Sequence, residues 1–162
     1  MFYRMLRSLQ RRLQAKKKRR HNRRVSFADL ITDRWENARQ YGFGSGVSMY
    51  DNVLVIGNVT VGDNTWIGPN VILDGSGGSL AIGKNCTICA GAQVYTHDSV
   101  KWALSGGDKP YDQAPTSIGD HCFVGPNAVI AKGVVIGDRV AIGACCFVNK
   151  SVPSDGKFTG RP

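Results

Sequence analysis

The sequence contains no long apolar segment. No stretch of its 162 residues approaches the 18 apolar residues that a membrane-spanning helix requires. The N-terminus also lacks the continuous apolar core of a secretory signal peptide. We therefore expect neither a transmembrane helix nor a secretory signal, and we predict a cytoplasmic protein.

Metal-ligating residues are also few and poorly spaced. The chain has three histidines and five cysteines. Cys86 and Cys89 form a single C-x-x-C pair, whereas a structural zinc site needs four ligands, commonly from two such pairs or from a Cys pair and a His pair. Cys145 and Cys146 are adjacent, which is a poor spacing for zinc ligands. We predict no metal and no disulfide framework, which fits a reducing compartment.

Acidic side chains are absent from the N-terminal segment. Residues 1–24 carry 11 of the 21 Lys and Arg side chains, and the rest of the chain is nearly neutral. Apolar residues recur at helical spacing in this segment, at Phe2, Met5, Leu6, Leu9 and Leu13. The pattern predicts a basic amphipathic helix or arm that contacts an anionic membrane at its inner face, packs on another subunit, or stays solvated. Nucleic acid is disfavoured, because no aromatic stacking platform accompanies the charge.

Large aliphatic residues recur every six positions between residues 47 and 148. Glycine often follows the aliphatic residue, and a small or medium-sized residue stands two places before it. A period of six fits neither a helix nor simple strand alternation, but it fits a short strand followed by a tight turn. The aliphatic positions are Met49, Val55, Val61, Ile67, Leu73, Ile82, Ile88, Val94, Ile118, Val124, Ile130, Ile136, Ile142 and Val148.

Three such units make a triangular coil of about 18 residues, and stacked coils make a parallel β-helix whose interior holds the aliphatic side chains. Cys86, Cys122 and Cys146 occupy the small inward position, so we interpret them as core residues. Glycine is expected to help the backbone turn.

This pattern resembles that of the hexapeptide-repeat acyltransferases, within which the sequence is most similar to sugar and polysaccharide O-acetyltransferases and to xenobiotic acetyltransferases. The resemblance covers residues 47–162. It implies an all-β fold, a left-handed parallel β-helix with N-terminal α-helices, assembled as a homotrimer. It also implies acetyl-coenzyme A as cosubstrate and an active site in the groove between subunits.

The chain divides into four parts by composition and repeat. The basic arm of residues 1–24 precedes a capping helix and linker at 25–46, the β-helix at 47–153 and a C-terminal tail at 154–162. A helix is predicted over 26–41, with Ser26 as its N-cap, Asp29 completing a capping box and Gly42 ending it. Trp35 is assigned to packing on its apolar stripe.

Two breaks interrupt the repeat. The step from Leu73 to Ile82 is three residues longer than the period, so a turn is enlarged there. The second break is a loop over 97–115, which contains Trp102, a candidate substrate contact. Long loops in compact domains are usually functional.

His97 is the candidate catalytic residue, because it stands where the repeat opens into that loop. The Thr96-His97 step also resembles the catalytic histidine motif of the family. A neutral imidazole can take a proton from an acceptor hydroxyl as its oxygen attacks an acyl thioester. Asp98, Asp74 or a backbone carbonyl could orient the ring, and both carboxylates are also candidate substrate contacts. His121 is expected to be exposed on a coil turn.

Other site residues follow from the resemblance alone. Phe123 stands where relatives often have a tryptophan, and Pro126 and Ala144 fall where relatives line the pantetheine arm. Asn149 and Lys150 resemble a Thr-Lys pair near the end of the coil, and Lys150 could meet a coenzyme phosphate or be a solvated surface lysine. Arg161 could substitute for a basic residue that relatives carry beyond the closing proline, or that basic contact could be missing.

The function predicted from these observations is acetyl transfer from acetyl-coenzyme A to a sugar hydroxyl, or less favourably an amine, in a cell-surface polysaccharide, a lipopolysaccharide or a precursor. Two alternatives remain. One is a xenobiotic acetyltransferase that acts on an antibiotic hydroxyl. The other is a non-catalytic β-helix scaffold with a basic docking arm.

Overall fold

The fold is given by a computed structural model that describes residues 1–160. Four helices accompany the strands in this range. They are α1 (Phe2–His21), α2 (Phe27–Ile31), α3 (Arg34–Gln40) and α4 (Val100–Leu104). Among residues 1–160, none of these helices has the length and apolar character to cross a membrane.

Fifteen short strands make up the rest of the ordered backbone. They are β1 (Ser48–Met49), β2 (Leu54–Val61), β3 (Trp66–Ile67), β4 (Ile72–Ile82), β5 (Thr87–Ile88), β6 (Gln93–Tyr95), β7 (His97–Asp98), β8 (Asp112–Gln113), β9 (Thr116–Ile118), β10 (Phe123–Val124), β11 (Val129–Ile130), β12 (Val135–Ile136), β13 (Ala141–Ile142), β14 (Phe147–Val148) and β15 (Lys157–Phe158).

The strands build a three-sided column of parallel ladders. Face 1 contains β1, β3, β5, β10, β13 and β15. Face 2 contains the first parts of β2 and β4 with β6, β11 and β14, and face 3 contains the last parts of β2 and β4 with β9 and β12. Ser48 pairs with Trp66 and Phe123 with Ala141, each 18 residues further along, so one coil of the column takes three six-residue units.

The aliphatic residues of the repeat fill the column, as the period predicts. Ile67, Leu73, Ile88, Val94, Val124, Ile130 and Ile142 are all fully buried. Burying each such side chain contributes roughly 1.5–3 kcal/mol relative to leaving it exposed. The prediction that three of the cysteines are core residues is confirmed for Cys86, Cys122 and Cys146, all of which are buried free thiols.

Glycines after the aliphatic residues serve a different purpose from the one expected. Their backbone is not in the left-handed region, where Asn64, Asn70, Asn85, Asn127 and other corner residues lie instead. A Cβ on Gly62 would stand 2.8 Å from backbone atoms of Gly83 and Lys84 in the next coil. These glycines are therefore needed for close stacking of coils. Positive φ at the turns is taken mainly by asparagine, which tolerates it, and by glycines at other positions such as Gly91 and Gly133.

The helix expected over 26–41 is interrupted, which corrects that prediction. Ser26 caps α2 by accepting a hydrogen bond from the Asp29 N–H, as expected. Thr32 then takes an extended conformation, and Asp33 starts α3 by accepting hydrogen bonds from the N–H groups of Trp35 and Glu36. The single apolar stripe is lost at this break.

Helix α3 covers the open end of the first coil. Ala38 is buried, and the Asn37 side chain donates hydrogen bonds to the carbonyl oxygens of Met49 and Tyr50. Trp35, which the sequence assigns to packing, is instead half-exposed at 52 %. An ion pair between Arg34 and the buried Asp29 joins α3 to α2, and the Arg34 guanidinium lies over the Tyr50 ring.

Candidate active site

Both breaks in the repeat lie at the same corner of the column, where the chain passes from face 2 to face 3. The enlarged turn of the second coil falls between Gly75 and Leu80, since Gly57 pairs with Gly75 but Val59 pairs with Leu80. The loop over 97–115 leaves the third coil directly after β6, which pairs with β4. We call this edge of the column the His97 corner.

The His97 ring faces the enlarged turn. Its Nδ1 lies 3.2 Å from the Ser76 hydroxyl and 3.7 Å from a carboxylate oxygen of Asp74. Asp74 is buried, and the exposed fraction of the His97 side chain is 24 %. Asp74 belongs to the neighbouring coil of the same chain, on β4, which pairs with β6.

Close backbone contacts hold His97 in this position. The Thr96 hydroxyl, which is fully buried, donates to the Asp74 carbonyl oxygen and accepts from the Gly77 N–H. A Cβ on Gly77 would approach the His97 Cβ to 2.5 Å, so only glycine fits beneath the imidazole. Two consecutive coils thus fix both the backbone and the ring of His97.

The loop over 97–115 has secondary structure of its own. Strands β7 and β8 form an antiparallel pair with α4 between them. The Tyr111 ring stacks on the His97 ring, with centroids 5.8 Å apart and planes 7° from parallel. Trp102 meets Tyr111 edge-on at 5.8 Å and is 44 % exposed. The candidate Trp102 is therefore connected to His97 through Tyr111.

Lys132 of the fourth coil fastens this loop to the column. Its ammonium contacts the carboxylates of Asp98 and Asp112, and Lys101 also pairs with Asp112 at 3.0 Å. The hydrogen bond from Lys132 lowers the pKa of Asp98, and hydrogen bonds from Lys101 and then Lys132 lower the pKa of Asp112. Asp98 thus points to Lys132, and it is Asp74 that lies beside His97.

The predicted coenzyme contacts lie at two different corners. Asn149 and Lys150 are exposed at the His97 corner, two coils beyond His97. Pro126 and Ala144 are exposed at the corner between faces 1 and 2, where the Cys145 N–H donates to the Pro126 carbonyl oxygen. Phe123 is 45 % exposed on the outside of face 1. Arg161 lies outside the described residues.

Sequence reasoning missed three residues at this site. Ser76 stands inside the enlarged turn, which was the signal available for it, and Tyr111 belongs to the loop already singled out. No pattern in the sequence points to Lys132. It lies beside the loop because face 2 of the fourth coil stacks on face 2 of the third coil, whose residues are 36 positions earlier in the chain. The expected exposure of His121 on a coil turn, with φ at 57°, is confirmed.

Two family models match the chain. The bacterial transferase hexapeptide model of six repeats matches residues 115–150, and the hexapeptide repeat of succinyl-transferase matches residues 58–96. Together they cover both sides of the loop. Both matches fit the resemblance to hexapeptide-repeat transferases that the sequence predicts.

Several similar proteins are acetyltransferases or succinyltransferases. Galactoside O-acetyltransferase of Escherichia coli strain K12 is 28 % identical over 123 residues, which are 64 % of this chain and 60 % of the relative. The chain therefore spans less than two thirds of that relative.

Two solved structures share the fold. A hexapeptide-repeat-containing acetyltransferase of Vibrio cholerae is 25 % identical with a TM-score of 0.68, covering 100 % of this chain and 89 % of its own. An N-acyltransferase of Bacillus cereus in complex with dTDP and coenzyme A is 26 % identical with a TM-score of 0.64, covering 74 % and 68 %. The predicted fold class, a left-handed parallel β-helix with N-terminal helices, is confirmed.

Proposed function

We propose that this protein transfers an acetyl group from acetyl-coenzyme A to a hydroxyl of a sugar, with His97 as general base. The observation that carries the proposal is the placement of His97 at the mouth of the only long loop in residues 47–160, with its Nδ1 turned toward Ser76 and Asp74. The acyltransferase names of the relatives and the coenzyme A complex of the Bacillus cereus structure support the donor.

In this reaction the Nε2 atom of His97 takes the proton of the acceptor hydroxyl as its oxygen attacks the thioester carbonyl. The carbon–sulfur bond then breaks, and the leaving thiolate receives the proton from the imidazolium. An alcohol is a weak nucleophile whose attack requires a base in the transition state, whereas a neutral amine is nucleophilic enough to attack before it loses its proton. A fixed imidazole therefore favours a hydroxyl acceptor over an amine.

The acceptor class is supported by the relatives. A galactoside is named as the substrate of the Escherichia coli enzyme, and the Bacillus cereus structure holds a thymidine diphosphate. The aromatic rings of Tyr111 and Trp102 beside His97 offer a surface on which the apolar face of a sugar ring can lie. We infer a sugar unit of a cell-surface polysaccharide, a lipopolysaccharide or a precursor as acceptor.

The decisive experiment measures coenzyme A thiol release with acetyl-coenzyme A and a panel of sugar, nucleotide-sugar and antibiotic acceptors. His97→Ala should lower turnover by a factor of ~10²–10⁴. His121→Asn is the matched control, since it alters another exposed imidazole and suits a positive φ. Wild-type turnover in His97→Ala would remove His97 from the mechanism, and turnover of antibiotics alone would favour the xenobiotic alternative.

The scaffold alternative has its own test. Calorimetric titration of the wild-type protein with coenzyme A should show saturable binding. Absence of a heat of binding, together with absence of turnover for every acceptor, would favour the non-catalytic scaffold. Lys150→Ala should weaken binding of coenzyme A more than binding of its dephosphorylated form, provided that Lys150 meets a coenzyme phosphate.

We also infer that α1 lies on an anionic membrane at the inner face, which keeps a cytoplasmic enzyme near lipid-linked acceptors. No side chain of α1 is buried, and Phe2, Tyr3 and Met5 are each more than 60 % exposed. The last turn contains Lys18, Arg19, Arg20 and His21, and cations at this end interact favourably with the helix dipole. Apolar residues at helical spacing along α1, with cations over most of the rest, fit a helix at a headgroup layer.

Vesicle co-sedimentation tests this surface. Binding to vesicles with anionic lipid should exceed binding to neutral vesicles, should fall with added salt and should be lost on deletion of residues 1–24. Met5→Glu replaces an exposed apolar side chain of α1 and leaves the column intact. It should weaken vesicle binding, and turnover of a soluble acceptor should be unchanged. Equal binding by the deleted chain would exclude this role for α1.

A further inference from the structure

Ser76 occupies the space between Asp74 and the His97 ring. Its Oγ lies 2.6 Å from Oδ1 of Asp74 and 3.2 Å from Nδ1 of His97. The direct distance from Nδ1 to Oδ2 of Asp74 is 3.7 Å, which is beyond hydrogen-bonding range. Asp74 and His97 therefore interact through the serine hydroxyl.

The direction of these hydrogen bonds follows from the chemistry of the groups. An ionised carboxylate only accepts hydrogen bonds, so the single hydroxyl proton of Ser76 goes to Asp74. The serine oxygen then has lone pairs for a donor, and the Nδ1–H of His97 is that donor. The arrangement selects the imidazole tautomer with its proton on Nδ1, which leaves the Nε2 lone pair free for a substrate proton.

The enlarged turn explains how Ser76 reaches this position. Asp74 Oδ1 also accepts a hydrogen bond of 2.9 Å from the Ser76 N–H, which closes a small turn around the carboxylate. Gly77, directly after Ser76, packs against His97 and bonds to the Thr96 hydroxyl. The three extra residues of the second coil thus bring the hydroxyl under the imidazole of the third.

We propose that Ser76 is a positioning residue that links Asp74 to His97 and holds the imidazole in its reactive tautomer. The proposal rests on the proposed function, in which Nε2 accepts the substrate proton. The serine keeps its own proton throughout, and the developing imidazolium is stabilised by a hydroxyl dipole that the Asp74 carboxylate orients. Ser76 is exposed in the single chain, so water competes for the hydroxyl and its contribution is smaller than that of His97.

The first test compares serine variants in the same turn. Ser76→Ala should lower kcat about tenfold with KM for acetyl-coenzyme A unchanged, as expected for one hydrogen bond to a charged group. Ser76→Thr keeps the hydroxyl and should retain most of the activity. Ser79→Ala is the matched control, because Ser79 is an exposed serine three residues further along the same turn. Wild-type kcat in Ser76→Ala would overturn the proposal.

The second test reads the tautomer directly and needs no substrate. The imidazole ¹⁵N chemical shifts of His97, assigned with the His97→Ala variant, should show Nδ1 protonated in the neutral wild-type ring. Ser76→Ala should give a mixture of tautomers. An unchanged tautomer in that variant would overturn the role of Ser76 even if no acceptor is ever turned over. Failure of the proposed function, by contrast, would appear as absent turnover with the tautomer change intact.

A double-mutant cycle tests whether the serine acts through the carboxylate. Asp74→Asn and Ser76→Ala should each lower kcat, and the double variant should be little worse than the more damaging single one. Additive losses would show that the two side chains act independently on His97, which contradicts the relay.

Discussion

At the scale of single residues, the site depends on one glycine. Gly77 is the position where a side chain would meet the Cβ of His97 and the Thr96 carbonyl oxygen, both at 2.5 Å. The backbone of Gly77 therefore limits how closely His97 can approach Asp74.

Gly77→Ala should displace His97 and reduce turnover on the order of 10²-fold, since a shift of about 1 Å at the reacting atoms has that effect. The measurement is kcat together with the melting temperature, which separates misplacement from unfolding. Gly78→Ala is the control, because its Cβ would come no closer than 3.1 Å to a neighbouring atom. Equal loss in both variants would contradict the special position of Gly77.

The buried positions of the column are largely predictable from the sequence, whereas the contacts between residues of the site are only partly predictable. The six-residue period places Ile67, Val94 and Ile142 correctly, because each inward position has the same environment in every coil. The partner of His97 is not periodic. It depends on how an enlarged turn in one coil stacks under a loop in the next, so the sequence leaves Asp74, Asp98 and a carbonyl open.

At the scale of elements, Lys132 holds the β7–α4–β8 segment against the column. Asp98 lies on β7 and Asp112 on β8, so one ammonium ties together both strands of the loop. The hydrogen bond that the Lys132 ammonium donates to Asp98 is the largest cause of the raised pKa of Lys132, and burial opposes it. The surroundings of this cluster are exposed, so its role is to order the loop rather than to add much to global stability.

Lys132→Met should loosen the loop while leaving the column folded. Amide hydrogen exchange over residues 97–115 should become faster, and KM for the acceptor should rise more than KM for acetyl-coenzyme A, because Tyr111 and Trp102 lie on this loop. Lys84→Met is a matched control that removes an exposed cation from another corner. Unchanged exchange in Lys132→Met would show that the loop holds its shape without the cation.

The same cluster predicts a pH dependence of loop order. Asp98 and Asp112 have folded-state pKa values below the usual 3.8, so their contribution is complete above that pH and is lost as the pH falls through the lowered values. Lys132 has a folded-state pKa above 10.5, so its contribution is complete below pH 10.5 and is lost as the pH rises through the raised value. Hydrogen exchange of the loop, corrected for intrinsic rates, should be slowest between these limits.

The interrupted capping helix shows what element prediction from the sequence lacks. Ser26 and Asp29 give a true helix start, but Asp33 is a second N-cap, and its two hydrogen bonds start a new helix. In the sequence, apolar residues at helical spacing continue past Asp33 and conceal the break. The packing of α3 on the first coil determines which of its side chains is buried: Ala38 enters the core, and Trp35 does not.

At the scale of the whole molecule, one chain does not bring all candidate residues together. His97, Asn149 and Lys150 share one corner, whereas Pro126 and Ala144 lie at another. A threefold assembly that sets one corner of a chain beside a different corner of its neighbour would unite them. We propose a homotrimer of this kind, with each site built by two copies.

Mixed assemblies test that arrangement. His97→Ala and Ala144→Trp chains should each be inactive alone, the first without a base and the second with a blocked pantetheine path. If each site uses two copies, random mixing should restore about a quarter of the wild-type activity, because that share of interfaces pairs two intact surfaces. No recovery, in mixtures verified by native mass spectrometry, would place the whole site within one chain.

The shared location of the two repeat breaks has a consequence for how such proteins diversify. One addition lengthens a coil by three residues and the other lengthens the next by 18, yet the ladders on all three faces resume in register after each. A change in segment length at this edge therefore leaves the positions of the buried residues in the neighbouring coils unchanged. In the acceptor site that we propose at this edge, insertions and deletions could therefore change acceptor preference while the column keeps its strict steric requirements.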